Sequence, residues 1–277
     1  MASRSQDESI EIVARLRKDL AYLSAATAEG LPVRAQKSID AELREVVTDL
    51  ESLIRKLDRI NHPTSIFDPN DPKVIGRFIA LTLVAQPRRS LDKVEAFYGS
   101  GVYAIYYSGG YAPYGPISGK ETPIYVGKAA PRDMTARTAR DQGDKLSKRL
   151  GEHSKNIRAA RSTLSILDFE YRALVVQSGW ESAAEEYLIG LFRPVWNSET
   201  RIAYGLGKHG DDAVTRVNKR SPWDILQPGR AWAAKSKEES RPIQQIELDL
   251  KHHFSTARIF DVENDVLRAL VDELIQK

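Results

Sequence analysis

Between Ile39 and Ile60, apolar side chains recur at Ile39, Leu43, Val46, Leu50, Leu53, Leu57 and Ile60, alternately four and three residues apart. That spacing is an a/d seam held through three heptads, with charged side chains at most of the positions between. Upstream, Ile10, Val13, Leu16, Leu20 and Leu23 form a second stripe, and Gly30-Leu31-Pro32 marks a turn between the two. Residues 5–60 are therefore predicted as two helices, either folded into an antiparallel hairpin or sharing the seam with a second chain. Pro63, Pro69 and Pro72 make the next stretch a linker.

Beyond the linker the pattern changes. A short helix is predicted over Val74 to Val84, and GVYAIYY (Gly101 to Tyr107) alternates and is rich in β-branched and aromatic residues, as a strand is. PIYVG (Pro123 to Gly127) and Phe169 to Val176 read as two further strands; Leu146 to Arg161 and Glu181 to Phe192 read as helices, the latter stopped before Pro194. From Ala234 the chain reads as a charged tail ending in a helix from Val262 to Ile275, with Asp261 as N-cap. The expected fold class is α+β, built on a small three-stranded, mainly antiparallel sheet flanked by helices, with an N-terminal helical hairpin. The expected organisation is an arm over residues 1–62, a central domain over 63–233 and a tail over 234–277.

Composition narrows the function classes. The 277 residues hold no cysteine, which removes disulfides, thiolate metal sites and cysteine nucleophiles. No run approaches the length of a membrane span, and MASRSQDESIEI lacks the apolar stretch of a signal peptide, so a soluble intracellular protein is expected. With 41 Lys and Arg against 38 Asp and Glu, the net charge is only +3. A nucleic-acid face must then come from local segregation of charge, and Lys128 to Arg161 supplies it, with ten basic residues against four acidic. Lys128, Arg132, Arg137, Arg140 and Lys148 are the candidates there for tracking phosphates. The first 60 residues are nearly balanced in charge and do not make such a face.

Helical phase singles out further residues. On the helix from Leu146, the inward stripe runs through Leu150 and Ile157, and His153 falls on it with Arg149 one turn earlier at its edge. A lone inward His is an ordinary core residue, but a His and an Arg both aimed at a sheet suggest a site, because a buried guanidinium needs an anion. On the helix from Glu181, Ala184, Tyr187, Leu188 and Leu191 face inward and Glu186 faces solvent. Glu185 lies on the border, where a surface residue and a metal ligand are both possible readings. Glu181, in the first turn, is better explained by the helix dipole. Asn197 follows Pro194-Val195-Trp196 and can bond backbone in a turn or hold a ligand.

GVY at Gly101 to Tyr103, YVG at Tyr125 to Gly127, Arg149, His153, Glu185 and Asn197 together resemble the GIY-YIG nuclease superfamily, in the family's order. FYGSGVYAIYYSG at Phe97 to Gly109, RLGEH at Arg149 to His153, RPVWN at Arg193 to Asn197 and SPWDILQPGRAW at Ser221 to Trp232 resemble its type II restriction endonucleases, in the branch that cuts CCGCGG. The likeness runs from about Ile66 to Trp232. Val replaces Ile in both tripeptides, which keeps the β-branch. Gln227 stands where that branch is expected to carry His, a departure that bears on the recognition sequence.

The resemblance implies a Mg²⁺-dependent phosphodiester hydrolase acting on double-stranded DNA in a prokaryotic cytoplasm, as part of restriction-modification defence. It casts Tyr103 as general base, with Arg149, Lys128 and the metal favouring its phenolate over the ordinary pKa of about 10. His153 takes or orients the Tyr103 proton, Tyr125 donates to phosphate or water, and Arg149 binds the scissile phosphate. Glu185 holds one divalent ion, the only carboxylate with a good claim on it. Cutting a palindrome implies a homodimer, with higher oligomers through the N-terminal helices as an extension. Base reading is expected from Arg132 to Arg140, the loop from Tyr111 to Lys120, and Lys208 to Arg220, where Asn218, Lys219 and Arg220 are suggestive without being decisive. Competing readings are a repair or structure-specific nuclease, a catalytically idle DNA-binding regulator that keeps the fold, and a coiled-coil interaction protein.

Overall fold

A computed structural model describes residues 2–28, 30–58, 60, 66–207, 219–236 and 238–273, with side chains from residue 7 onward except that of Val33. It divides into two compact units, residues 1–65 and 66–277. No helix among the described residues is long and apolar enough to cross a membrane.

The first unit holds α1 (Ala2–Thr27) and α2 (Val33–Leu57). Their stripes converge at the turn, where Leu20, Leu23, Thr27, Leu31, Ile39 and Leu43 line one cavity of about 520 Å³. Away from the turn, Ile10 and Val13 on α1 and Leu53 and Leu57 on α2 are exposed. Pairing within one chain thus leaves much of the two stripes uncovered, Leu20 among them.

The second unit is built on four antiparallel strands in the order β1-β4-β2-β3: β1 (Arg89–Ser90), β2 (Gly101–Tyr107), β3 (Tyr125–Ala129) and β4 (Phe169–Val175). Three of these are the expected strands. β1 is two residues long, too short to leave a period in the sequence. Its helices are α3 (Pro72–Val84), α4 (Ala139–Gln142), α5 (Lys145–Ala159), α6 (Glu181–Phe192), α7 (Pro222–Leu226), α8 (Ala231–Ala234), α9 (Ile243–Thr256) and α10 (Glu263–Asp272). Asp71 starts α3 by accepting the Lys73 N–H, with Pro72 in the first turn where no donor is lost.

The alternation expected of β2 is absent in burial, since all seven of its residues are buried. Tyr103, Ile105 and Tyr107 face a layer containing Leu146, Leu150 and Ile157 of α5 with Trp196 and Trp223. Val102, Ala104 and Tyr106 face α3 and α6 through Leu83, Ala184 and Leu188. A strand covered on both sides has no polar face to alternate with.

Residues 234–273 are not a detached tail. Ile246 and Leu250 of α9 belong to the α5-side core, and Phe260, Val266 and Leu270 to the α6-side core. The last helix begins at Glu263 with Val262 rather than Asp261 at its N-cap, and residues 274–277 lie outside the described ones.

Candidate active site

β3 is an edge strand, and the candidate residues gather around it from both faces. Register decides who meets whom. Tyr103 pairs with Gly127 and Ile105 with Tyr125, so Tyr103 and Tyr125 sit diagonally on one face, ring centroids 6.1 Å apart. Gly127 lets the Tyr103 ring cross the strand, since a Cβ there would lie 2.5 Å from the Tyr103 hydroxyl. The glycine of the YVG motif is thus a gap shaped to the tyrosine of GVY.

α5 closes this face. Its inward stripe buries His153 completely, as its helical phase predicts, and brings Nε2 to 2.6 Å from the Tyr103 hydroxyl. A hydrogen bond therefore joins phenol and imidazole. His153 also meets the Tyr125 ring edge-on, centroids 5.0 Å apart. Arg149, one turn earlier, pairs through Nη1 with Glu152 at 2.8 Å and acts on both tyrosine hydroxyls.

Electrostatics on this face corrects one expectation. Burial pushes the Tyr103 pKa well above that of a free phenol, the charge of Tyr125 adds to the rise, and Arg149 only partly opposes it. Tyr103 rests as a neutral phenol, because loss of water around it outweighs the neighbouring cation. Tyr125 is raised for the same first reason, with Arg149 opposing and Glu185 adding. For Arg149, burial works downward, but Tyr103, Glu152 and Tyr125 raise its pKa overall, so it is a fixed cation.

Lys128 and Glu185 belong to the other face. Lys128 pairs with Val102 in the sheet, which turns it toward α6. Its ammonium lies 3.1 Å from the Glu185 carboxylate and donates to Ser182 Oγ at 2.9 Å. It therefore neutralises Glu185 and is not among the cations acting on Tyr103. The Glu185 side chain is 22% exposed, on the border of α6 as predicted. Glu181 is buried and accepts from Ser100 Oγ at 3.0 Å and the Gly179 N–H at 2.8 Å, which makes it an anchor for the helix start.

Asn197 resolves to a backbone role, though to a strand and not a turn. Its Oδ1 accepts the Val126 N–H at 3.0 Å and its Nδ2 donates to the Val126 carbonyl at 2.8 Å. The side chain acts as the missing neighbour of an edge strand, one residue from Tyr125. Trp196 continues this by donating its backbone N–H to the Ile124 carbonyl at 3.1 Å.

Among the described residues, no three His, Cys, Asp or Glu side chains come together as a metal cage. Glu185 offers one partly open carboxylate, an oxygen donor of the kind Mg²⁺ takes while keeping most of its waters.

The basic candidates divide. Arg132, Arg137 and Arg140 are exposed on the segment that leaves β3. Lys148 is exposed and paired with Asp144 at 3.0 Å. Lys219 faces Glu238 at 3.7 Å and Arg220 faces Glu239 at 2.8 Å, so acids offset both. The loop from Tyr111 to Lys120 is anchored by Tyr114 and Ile117, which are core residues, and Lys120 pairs with Asp261 at 2.7 Å. Lys208 and Asn218 lie outside the described residues. Gln227 is fully buried, donating to the Tyr114 hydroxyl at 3.0 Å and accepting from Thr163. Its departure from the expected pattern is a matter of core packing.

Sequence reasoning missed Gln142. Buried at the end of α4, it accepts the Ser100 N–H at 2.9 Å and donates to the Val176 carbonyl at 2.8 Å. It ties the base of the basic segment to the start of β2, and nothing in its spacing distinguishes it from a surface glutamine.

Two tyrosines crossed on a sheet edge, an Arg and a His one helical turn apart, and a Glu arriving from the next helix define a nuclease of the GIY-YIG type. Residues 95–254, more than half of the chain, match the family model described as the Eco29kI GIY-YIG domain, and the chain belongs to this restriction endonuclease family. The match includes most of α9, in keeping with its place in the core. No curated protein matches the chain.

Proposed function

We propose that this protein is a type II restriction endonuclease that hydrolyses double-stranded DNA at a palindrome, CCGCGG, with one Mg²⁺ per site, as the nuclease half of a restriction-modification system in a prokaryotic cytoplasm. The observation that carries the reading is the 2.6 Å approach of the Tyr103 hydroxyl to His153 Nε2, on the opposite face of β3 from an accessible Glu185.

The chemistry follows from that arrangement. His153 Nε2 accepts the Tyr103 proton as Tyr103 takes one from the attacking water, so no free phenolate has to form in a buried site. The water oxygen bonds to phosphorus, the P–O3′ bond breaks, and O3′ leaves as an alcohol after gaining a proton from solvent. Arg149, a permanent cation, offers a fork of donors to the phosphate oxygens as charge builds on them. Tyr125 donates to phosphate or water. Glu185 would hold the Mg²⁺, which supplies Lewis-acid polarisation of the phosphate. Asn197 fixes the strand that carries Tyr125, a positioning role.

Arg132, Arg137 and Arg140 are the leading DNA contacts; Lys128, Lys148, Lys219 and Arg220 must first exchange a carboxylate partner for a phosphate. A palindrome with one site per chain calls for two chains about a dyad. The uncovered seam of α2 is where further copies would join.

The test is digestion of unmethylated DNA bearing CCGCGG, in Mg²⁺ and in EDTA. Discrete fragments ending at that site and lost in EDTA are expected. Fragments ending elsewhere would leave the chemistry and remove the assigned site. Binding without cleavage would replace the nuclease by a DNA-binding regulator.

A further inference from the structure

The guanidinium of Arg149 is bounded by main chain as well as side chains. Gly207 passes so near it that a Cβ at that position would stand 2.8 Å from Nη2 and 3.9 Å from the Tyr125 hydroxyl. Hydrogen is the only side chain that fits without moving the arginine.

Three side chains hold this stretch in place. Asn156, two turns along α5 from Arg149 and so on the same face, donates Nδ2 to the Leu206 carbonyl at 3.0 Å. Arg230 donates Nη1 to the same carbonyl at 3.0 Å and Nη2 to the Gly205 carbonyl at 2.9 Å. Its guanidinium is stacked with Trp223 and Trp232, 4.6 and 4.9 Å from the ring centres. Asp224 grips it from the far edge, bonded to Nε at 2.7 Å and Nη2 at 2.8 Å, and both side chains are buried. Burying such an ion pair costs desolvation that its attraction barely offsets, so stability alone is a weak reason for it. A bidentate pair does fix the plane of a guanidinium, and this one aims its remaining N–H groups at two successive carbonyls.

We infer that Gly207, set by Asn156, Arg230 and Asp224, is a positioning element for Arg149: it confines the guanidinium to the direction in which it meets the scissile phosphate. The inference rests on the nuclease reading, in which Arg149 binds that phosphate. It accounts for one role of the SPWDILQPGRAW segment, whose Asp224 and Arg230 lie far from Arg149 in sequence.

Gly207→Ala separates positioning from folding. The backbone there is not left-handed, so alanine is compatible with it; the added methyl clashes only with the far end of the flexible Arg149 side chain and rests at ordinary contact distance from the Tyr125 hydroxyl. The experiment is a double-mutant cycle on single-turnover DNA cleavage with wild type, Gly207→Ala, Arg149→Ala and the double variant, with melting temperatures measured in parallel. The expected result is an unchanged melting temperature, about a tenfold slower cleavage in Gly207→Ala, about a hundredfold or more in Arg149→Ala, and no further loss in the double variant. A methyl that acts through the guanidinium has nothing left to move once the guanidinium is gone. Equal fold losses in both backgrounds, or no loss in the wild-type background, would overturn the positioning role and leave the nuclease reading standing. A wild type that cleaves no DNA would bring down the nuclease reading, and this inference with it.

Discussion

The two faces of β3 differ in almost every property that matters to hydrolysis. On the α5 side Tyr103 and His153 are fully buried, packed ring to ring, and share a hydrogen bond. On the α6 side Glu185 and Lys128 form an ion pair open to water. The dry face suits proton movement, because burial keeps the phenol neutral until a partner takes its proton. The wet face suits exchange of a hydrated cation, because a half-open ion pair is weak, worth about 1 kcal/mol at most, and yields to a competing ion. An edge strand is the one place in a sheet where a side chain from each face can reach the same substrate.

The contrast can be broken most severely at its two centres. Tyr103→Phe and Glu185→Ala should each slow cleavage by about a thousandfold or more, leaving the melting temperature of Glu185→Ala near that of wild type because the side chain is partly exposed. Single-turnover assays with parallel thermal melts check both. His153→Ala comes next, at about a hundredfold near neutral pH. Without Nε2 the proton of Tyr103 must go to solvent, and its raised pKa means the phenolate fraction grows about tenfold with each pH unit. The rate of the variant should therefore climb steadily through the alkaline range, with the gap from wild type narrowing, in a pH–rate profile.

Asn197→Ala sharpens the comparison by loosening the strand between the faces. It abandons two buried hydrogen bonds to Val126, for a loss of about 1–3 kcal/mol in denaturant unfolding. The smallest effect is expected at Lys128→Gln. Freed from its ion pair, Glu185 should take up Mg²⁺ more readily, lowering the half-saturating concentration for cleavage about two- to threefold. DNA affinity at fixed salt is to be measured beside it.

Much of the site was legible because it lies on regular elements. Helical phase alone turns His153 inward and puts Glu185 at a border. The tyrosine strands are recognisable from GVYAIYY and PIYVG, although the first looked one-sided and proved to be covered on both faces. α9 could have been found, since Ile243, Ile246, Leu250 and Phe254 keep a helical spacing amid its charges. What could not be read depends on contacts distant in sequence. Lys128 and Glu185 are joined by sheet register and helix docking, which also turn the Lys128 charge away from Tyr103. The pKa direction of Tyr103 required its burial, and the closeness of Gly207 to Arg149 is invisible without coordinates.

The most direct test of two separate faces is the Mg²⁺ dependence of single-turnover cleavage, measured for wild type, Tyr103→Phe and Glu185→Asp under the same conditions. The account predicts that Glu185→Asp shifts the half-saturating Mg²⁺ concentration upward, whereas Tyr103→Phe lowers the plateau rate and leaves that concentration in place. An unchanged half-saturation in Glu185→Asp, or a shift of equal size in Tyr103→Phe, would contradict it.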